Sequence, residues 1–207
     1  MTTTTVGQSV ERLDIRTKVQ GTRKYPQDFS MEGMLHAVVV WADHPHARIV
    51  AIEQAEALRV PGVVAVLTHR DVPVNEYGIN EYDQPVLAAD KVRWTGDRVA
   101  VVVAETLAAA IEGRMRVKVA YEPLPVVTDP VAAMAAEAPL VHEDKGSNIL
   151  RHIPVRKGDV RVGFAAADTI VEGTYRTPFQ EHAYLQPEAA LGYIDGEGRV
   201  TLVCASQ

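Results

Sequence analysis

Residues 86–125 read VLAADKVRWTGDRVAVVVAETLAAAIEGRMRVKVAYEPLP. Lys91 to Trp94 form a short extended run, Thr95-Gly96-Asp97 a turn, and residues 99–104 an apolar run read as a strand. Together they predict a hairpin feeding a helix over 105–116. Within that helix Leu107, Ala110, Ile111 and Met115 recur at three-to-four spacing, giving one apolar face to lie on a sheet. Residues 117–121 then alternate like a half-buried strand, which Pro123 and Pro125 end.

Working outward, residues 34–41 (MLHAVVVW) suit a buried strand bounded by Gly33 and by Asp43 and Pro45. Residues 52–58 carry strong helix formers and stop at Pro61-Gly62; residues 63–67 read as another buried strand. The stretch 69–84 holds Pro73, Asn75, Gly78 and Asn80 without periodicity and reads as a surface excursion. Residues 1–20, Thr-rich and then polar, read as a flexible arm. Downstream, a short helix at 129–136 with Pro130 in its first turn leads to a polar linker, EDKGSN, at 143–148. Beyond it come a short helix at 158–167 and three antiparallel strands at 169–176, 188–194 and 199–205, the last two joined by Asp195-Gly196-Glu197-Gly198. Short strands with a few helices give an α+β fold. The sheet of the second domain stops while still being built, so a fragment, or a subunit completed by another chain, is expected.

The 207 residues carry 27 Asp and Glu against 21 Lys and Arg, a net charge of −6, with no dense basic block. Counterion release would therefore not draw the chain to polyphosphate, and nucleic acid is not an expected partner. Cys204, the single cysteine, rules out an internal disulfide and reads as a small apolar core residue of its strand. The amino terminus lacks a basic segment followed by an apolar stretch, and no apolar run approaches the ~20 residues needed to cross a bilayer. A soluble, cytoplasmic protein away from membranes is expected.

Candidate chemistry is sparse. His36, His44 and His46 lie close together, but no cysteine and no helical histidine register accompanies them. They read as turn imidazoles in solvent rather than metal ligands. Gly158-Asp159 and Gly196-Glu197-Gly198 lack the spacing and following helix of a phosphate cradle. Glu181-His182 with Gln186-Pro187-Glu188 gathers proton-transferring groups between two strands, yet no Ser, Cys or metal partner stands at an identifiable spacing. A hydrogen-bonded corner is the expectation there.

The run at 86–105, the helix after it and YEPLP at 121–125 resemble the amino-terminal hammerhead domain of the molybdenum-cofactor subunit of xanthine dehydrogenases and aldehyde oxidases. GTRKYPQD at 21–28, HPHARI at 44–49, PGVVAVLT at 61–68 and VEGTYRTPFQEHAYLQPEAAL at 171–191 share the likeness, which runs from about residue 20 to the end. It implies a flexible arm (1–20), a hammerhead domain (21–127), a linker (128–148) and the incomplete start of a molybdopterin-binding domain (149–207). It also implies part of an oxidoreductase that oxidises a heterocycle or aldehyde, a small-molecule substrate, with water-derived oxygen. The complete subunit would hold molybdenum–molybdopterin, and iron–sulfur clusters and FAD would sit on partner subunits or domains. Gln207, after Ser206, matches the glutamine whose amide approaches an oxo ligand of the metal, and is the one expected cofactor contact. No residue of this chain is expected to be catalytic or to ligate the metal, and the isolated chain is expected to be inactive. The glycine-rich pterin segment and the family's basic glutamate would come after residue 207. Two positions depart from the family pattern: Ala42-Asp43 stands for Ser-Pro, and Leu185-Gln186-Pro187 for Leu-Glu-Pro. The alternative from another class is a non-catalytic scaffold or subunit-interaction module with a hammerhead fold.

Overall fold

A computed structural model of the chain describes residues 6–79 and 81–205. In chain order the helices are α1 (Ile15–Val19), α2 (Ala55–Leu58), α3 (Leu107–Arg116) and α4 (Val160–Ala166). The strands are β1 (His36–Trp41), β2 (Ala47–Glu53), β3 (Val63–Leu67), β4 (Glu76–Tyr77), β5 (Gln84–Pro85), β6 (Lys91–Val92), β7 (Arg98–Ala104), β8 (Lys118–Pro123), β9 (Ala190–Ile194) and β10 (Val200–Cys204). They fall into two units, Gly33–Ile170 and a second made of the described residues up to Glu32 together with those from Val171.

The unit Gly33–Ile170 is built on two antiparallel three-stranded sheets, β1-β7-β3 and β6-β2-β8. Strand β7 is central to the first, and Val102 stands between Val38 on β1 and Val66 on β3. Its alternate residues Ala100, Val102 and Ala104 are fully buried, as a central strand covered by a helix requires. Val99 points the other way, into a second cluster with Ala42, Ala47, Ala88 and Val92.

The expected hairpin does not form: β6 pairs with β2, while β7 pairs with β1 and β3. Its turn is held by other means. Asp97 is buried and its carboxylate accepts from the backbone N–H of Arg93 at 3.1 Å and of Arg98 at 3.2 Å. The backbone of Ala42 bonds to both Gly96 and Asp97. Gly96 takes φ +95°, and a Cβ there would lie 3.3 Å from the Trp94 ring. The turn thus hands the chain from one sheet to the other.

Helix α3 is capped by Thr106, whose hydroxyl accepts from the Ala109 N–H at 3.2 Å. It lies on β1, β3 and β7, but not on the face expected. Ala109, Ala110 and Gly113 are buried, whereas Leu107 and Met115 are exposed at 52% and 76%. Of the expected stripe only Ala110 faces the sheet. A Cβ on Gly113 would come within 2.9 Å of both Val102 Cγ1 and Val63 Cγ2, so the helix lies too close for large side chains.

Other expectations also yield to tertiary partners. Residues 52 and 53 belong to β2, where Ile52 faces Val119 and Glu53 faces Lys118, and only Ala55–Leu58 is helical. The helix expected at 129–136 is a 3-10 turn, Ala132–Met134, with Asp129 accepting from the N–H groups of Val131 and Ala132. The strand expected at 169–176 does not form: these residues carry no regular secondary structure, and β9 and β10 pair only with each other. In the second unit β9 and β10 form a two-stranded antiparallel ribbon.

Candidate functional site

The residue expected to contact a cofactor, Gln207, lies outside the described residues, as does Ser206. The strand leading towards them is well defined. Asp195 Oδ1 accepts from the N–H groups of Glu197 and Arg199 at 2.9 and 3.0 Å, and Oδ2 pairs with Arg199 Nε at 2.9 Å. These bonds, the Arg199 N–H foremost, hold the Asp195 carboxyl below the usual carboxylate range. They fix the turn and with it the register, which puts Thr201 and Val203 on one face and Val200, Leu202 and Cys204 on the other. Cys204 is exposed rather than a core residue, because with Val200 and Leu202 it lies on the exposed face of a two-stranded ribbon.

Beside the end of β10 a cavity of about 520 Å³ is lined by Lys18, Arg23, Lys24, Tyr184, Glu188 and Cys204, among others. Lys18 pairs with Asp14 at 2.9 Å, and Lys18 and Arg12 together hold the Asp14 carboxyl down to about 2. Arg23 and Lys24 have no carboxylate within 4 Å among the described residues. The lip is therefore cationic and suited to an anion, but it brings no nucleophile and base together. Glu181 and His182 are exposed; Glu181 accepts from the Ala183 N–H and His182 stacks on Tyr184 with ring centroids 5.4 Å apart. Of the hydrogen-bonded corner expected at 181–188, this Glu181 bond is the one side-chain hydrogen bond present among the described residues.

The histidine group of the other unit is not a solvated turn. His46 is buried, with Nδ1 2.6 Å from the Pro125 carbonyl. His44 lies against Tyr121, ring centroids 4.6 Å apart, and its Nδ1 is 2.7 Å from Asp43. Burial, followed by the charges of Asp43 and Asp97, pushes the Tyr121 hydroxyl up to about 12. The histidines are packing and hydrogen-bonding groups. Among the described residues no three His, Cys, Asp or Glu side chains gather around a point that could hold a metal ion.

Sequence reading missed a polar clamp on residues 141–148. Lys91, buried on β6, ion-pairs with the exposed Glu143. Arg93 Nε donates to the Val141 carbonyl at 3.0 Å. Asn148 accepts from the Val141 N–H at 2.9 Å and donates to the carbonyls of Ala133 and Pro139. A cavity of about 590 Å³ beside it is lined by residues including Glu81, Asp83, His142 and Lys145. The one available signal was the alternation of Lys91 and Arg93 with Val92 and Trp94 in a short extended run.

This clamp should loosen in two acid steps. Burial, then the Arg93 charge, lowers the His142 pKa below its ordinary 6.5, while the Lys91 hydrogen bond lowers Glu143 below 4.5. Below pH 6.5 a released His142 takes up a proton before a docked one, so stability falls from there towards the docked value. The Glu143 contribution is fully present above pH 4.5 and fades as pH drops through the lowered value. Following the Val141 amide signal by NMR across an acid titration should show both steps, and His142→Asn should erase only the upper one. An upper step that survives this substitution would refute the assignment.

A family model described as the aldehyde oxidase and xanthine dehydrogenase a/b hammerhead domain matches residues 20–125, and one for a molybdopterin cofactor-binding domain matches 141–207. A probable xanthine dehydrogenase subunit from Bacillus subtilis is 41% identical over 197 residues, covering 95% of this chain and 26% of its own. The nicotinate dehydrogenase large molybdopterin subunit of Eubacterium barkeri is 36% identical, covering 98% of this chain and 47% of its own. The solved aldehyde oxidoreductase of Desulfovibrio gigas superposes with a TM-score of 0.82 at 32% identity, over 92% of this chain and 22% of that one. The chain thus spans about a quarter to a half of these curated relatives' length.

Proposed function

Because this chain belongs to the aldehyde oxidase and xanthine dehydrogenase family, with a hammerhead domain followed by the start of a molybdopterin-binding domain, we propose that it serves a molybdenum hydroxylase. In this reading the whole assembly oxidises a heterocycle or an aldehyde with oxygen taken from water. The observation that carries it is the pair of family matches, lying in tandem over 20–125 and 141–207. The proposed division is an arm at 1–20, the hammerhead at 21–127, a linker at 128–148 and the cofactor-binding domain from 149.

The bound molybdopterin group supplies the oxidation chemistry, and this chain supplies scaffold and surfaces. Gln207 is the proposed contact, offering a neutral amide donor to an oxo ligand without adding charge to the site. The remainder of the molybdenum subunit, together with iron–sulfur and FAD subunits or domains, completes the proposed electron path, in a cytoplasmic setting. No described helix is long and apolar enough to cross a membrane.

The test is elemental analysis with dye reduction. The 207-residue chain alone should purify with far less than stoichiometric molybdenum and reduce no dye. Supplying the polypeptide that completes the subunit should bring molybdenum near one per subunit and give turnover on an aldehyde or an N-heterocycle. Gln207→Ala in that assembly should lower turnover at unchanged metal content. Tight molybdopterin retention by the chain alone, or a completed assembly that takes up metal but oxidises neither class, would overturn the reading.

A further inference from the structure

Helix α3 is apolar on both sides. Its small residues Ala109, Ala110 and Gly113 are buried against the sheet, while Leu107, Ile111 and Met115 are 52%, 40% and 76% exposed. A helix packed by one face on a sheet normally turns polar residues outward. At 3.6 residues per turn Leu107, Ile111 and Met115 form one i, i+4 row, and with Ala108 they fill the side opposite Gly113. The polar side chains stand beside this row rather than on it. Glu112 and Arg116 pair with each other along one flank, and Arg114 lies on the other. The elements that α3 contacts are α2, β1, β3 and β7, and none of them covers the row.

Charges at the two ends of the row indicate what covers it. Glu105 precedes the helix, and Arg114 and Arg116 stand in its last turn. Neither Glu105 nor Arg114 has an ion-pair partner among the described residues. A second α3 laid antiparallel about Ile111 brings its Glu105 level with Arg116 and within one turn of Arg114, at a rise of 1.5 Å per residue. Leu107 of each copy then meets Met115 of the other, Ile111 meets Ile111, and the helix dipoles oppose. A parallel copy would instead set Glu105 beside Glu105 and the arginines beside their equals. The row is therefore self-complementary in one orientation, as a two-fold contact requires.

Size sets the strength of such a contact. A helix of 10 residues is about 15 Å long, so the seam is smaller than the standard interface of about 800 Å² per partner. It makes a weak dimer that forms with rising concentration.

We propose that the outer face of α3 is a self-association surface, through which two copies of this chain pair antiparallel in a two-fold contact centred on Ile111. The contact lies wholly on the unit Gly33–Ile170 and does not depend on the proposed molybdenum chemistry.

The test uses the 207-residue chain with its single cysteine removed by Cys204→Ser. Ile111→Cys should link two copies by a disulfide on mild oxidation. Leu107→Cys mixed with Met115→Cys should cross-link about tenfold faster than either variant alone, because only the antiparallel register brings these positions together. Sedimentation over a range of concentrations should show a monomer–dimer equilibrium that Ile111→Glu weakens about tenfold or more, since a carboxylate would be desolvated at the centre of the contact. Val74→Glu, at an exposed position of the same unit, should leave it unchanged. Arg114→Glu with Arg116→Glu should weaken it too, and adding Glu105→Arg should restore it. The cross-linking pattern is read without any charge in the contact, so it stands even if Ile111→Glu disturbs folding. A chain that stays monomeric at high concentration, a dimer indifferent to Ile111→Glu, or Leu107→Cys linking fastest to itself would overturn the inference. A completed subunit that stays monomeric yet shields Ile111→Cys from alkylation would make the rest of that polypeptide the occupant and overturn it as well. None of these outcomes touches molybdenum uptake, so the inference and the proposed function fail separately.

Discussion

Replacing Gly113 by leucine should cost the hammerhead unit about 3 kcal/mol and lower its melting temperature by roughly 10 °C. Glycine inside a helix is ordinarily a defect, and alanine in its place usually adds about 1 kcal/mol through helix propensity alone. At this position the sign should reverse. A Cβ would meet Val102 Cγ1 and Val63 Cγ2, both at 2.9 Å, and these atoms belong to stiff β-branched side chains in the sheet below. Val102 is fully buried on the central strand and has nowhere to retreat. Gly113→Ala should therefore destabilise despite its better propensity, and Gly113→Leu far more. Chemical denaturation of the three proteins checks the order. An alanine variant more stable than the parent would show that α3 does not sit as close to β3 and β7 as described.

Asp97→Ala should cost about 3 kcal/mol by a different route, the loss of hydrogen-bond partners. The buried carboxylate is shared between the N–H groups of Arg93 and Arg98, one on each of its oxygens. Truncation leaves two partly buried donors unpaired, each worth about 1–3 kcal/mol. Asp97→Asn keeps one acceptor oxygen and should fall about midway. The effect should spread, because Arg93 also holds Val141 through its side chain. Hydrogen exchange should speed up at Arg93 and Arg98, and residues 141–148 should become easier to cleave. Alanine and asparagine variants as stable as the parent would remove Asp97 from its role as the knot between the two sheets.

These two positions show where sequence reading succeeds and where it stops. The strand at 99–104 was legible because a six-residue, valine-rich apolar run bounded by a turn suits a buried strand. The turn at Thr95-Gly96-Asp97 was legible too, but its consequence was not. Turn chemistry fixes a local reversal, whereas the choice of strand partners depends on which apolar faces meet, and β6 found β2 rather than β7. On α3, periodicity favoured the largest apolar side chains. Packing distance favoured the smallest, and Ala109, Ala110 and Gly113 face the sheet. His46 was read as solvated because no local pattern reveals that its ring will meet the carbonyl of Pro125, far away in the chain.

The candidate site was legible chiefly through family resemblance. Gln207, the one cofactor contact that the resemblance implies, stands outside the described residues, and no spacing of His, Cys or carboxylates announced a metal centre. The clamp built by Lys91, Arg93 and Asn148 left almost no trace in the sequence, because its partners are backbone carbonyls and an N–H of a segment with no periodicity of its own.

The amino-acid sequence by itself determined the family, the α+β class and the positions of most strands and of the main helix, since each follows from local pattern and recognisable motifs. Only the tertiary structure decided which strands share a sheet, which side of the helix is buried and which apolar face of the β9–β10 ribbon remains bare. Those outcomes depend on distances between residues remote in sequence, and alternation along one strand cannot say what, if anything, lies across from it.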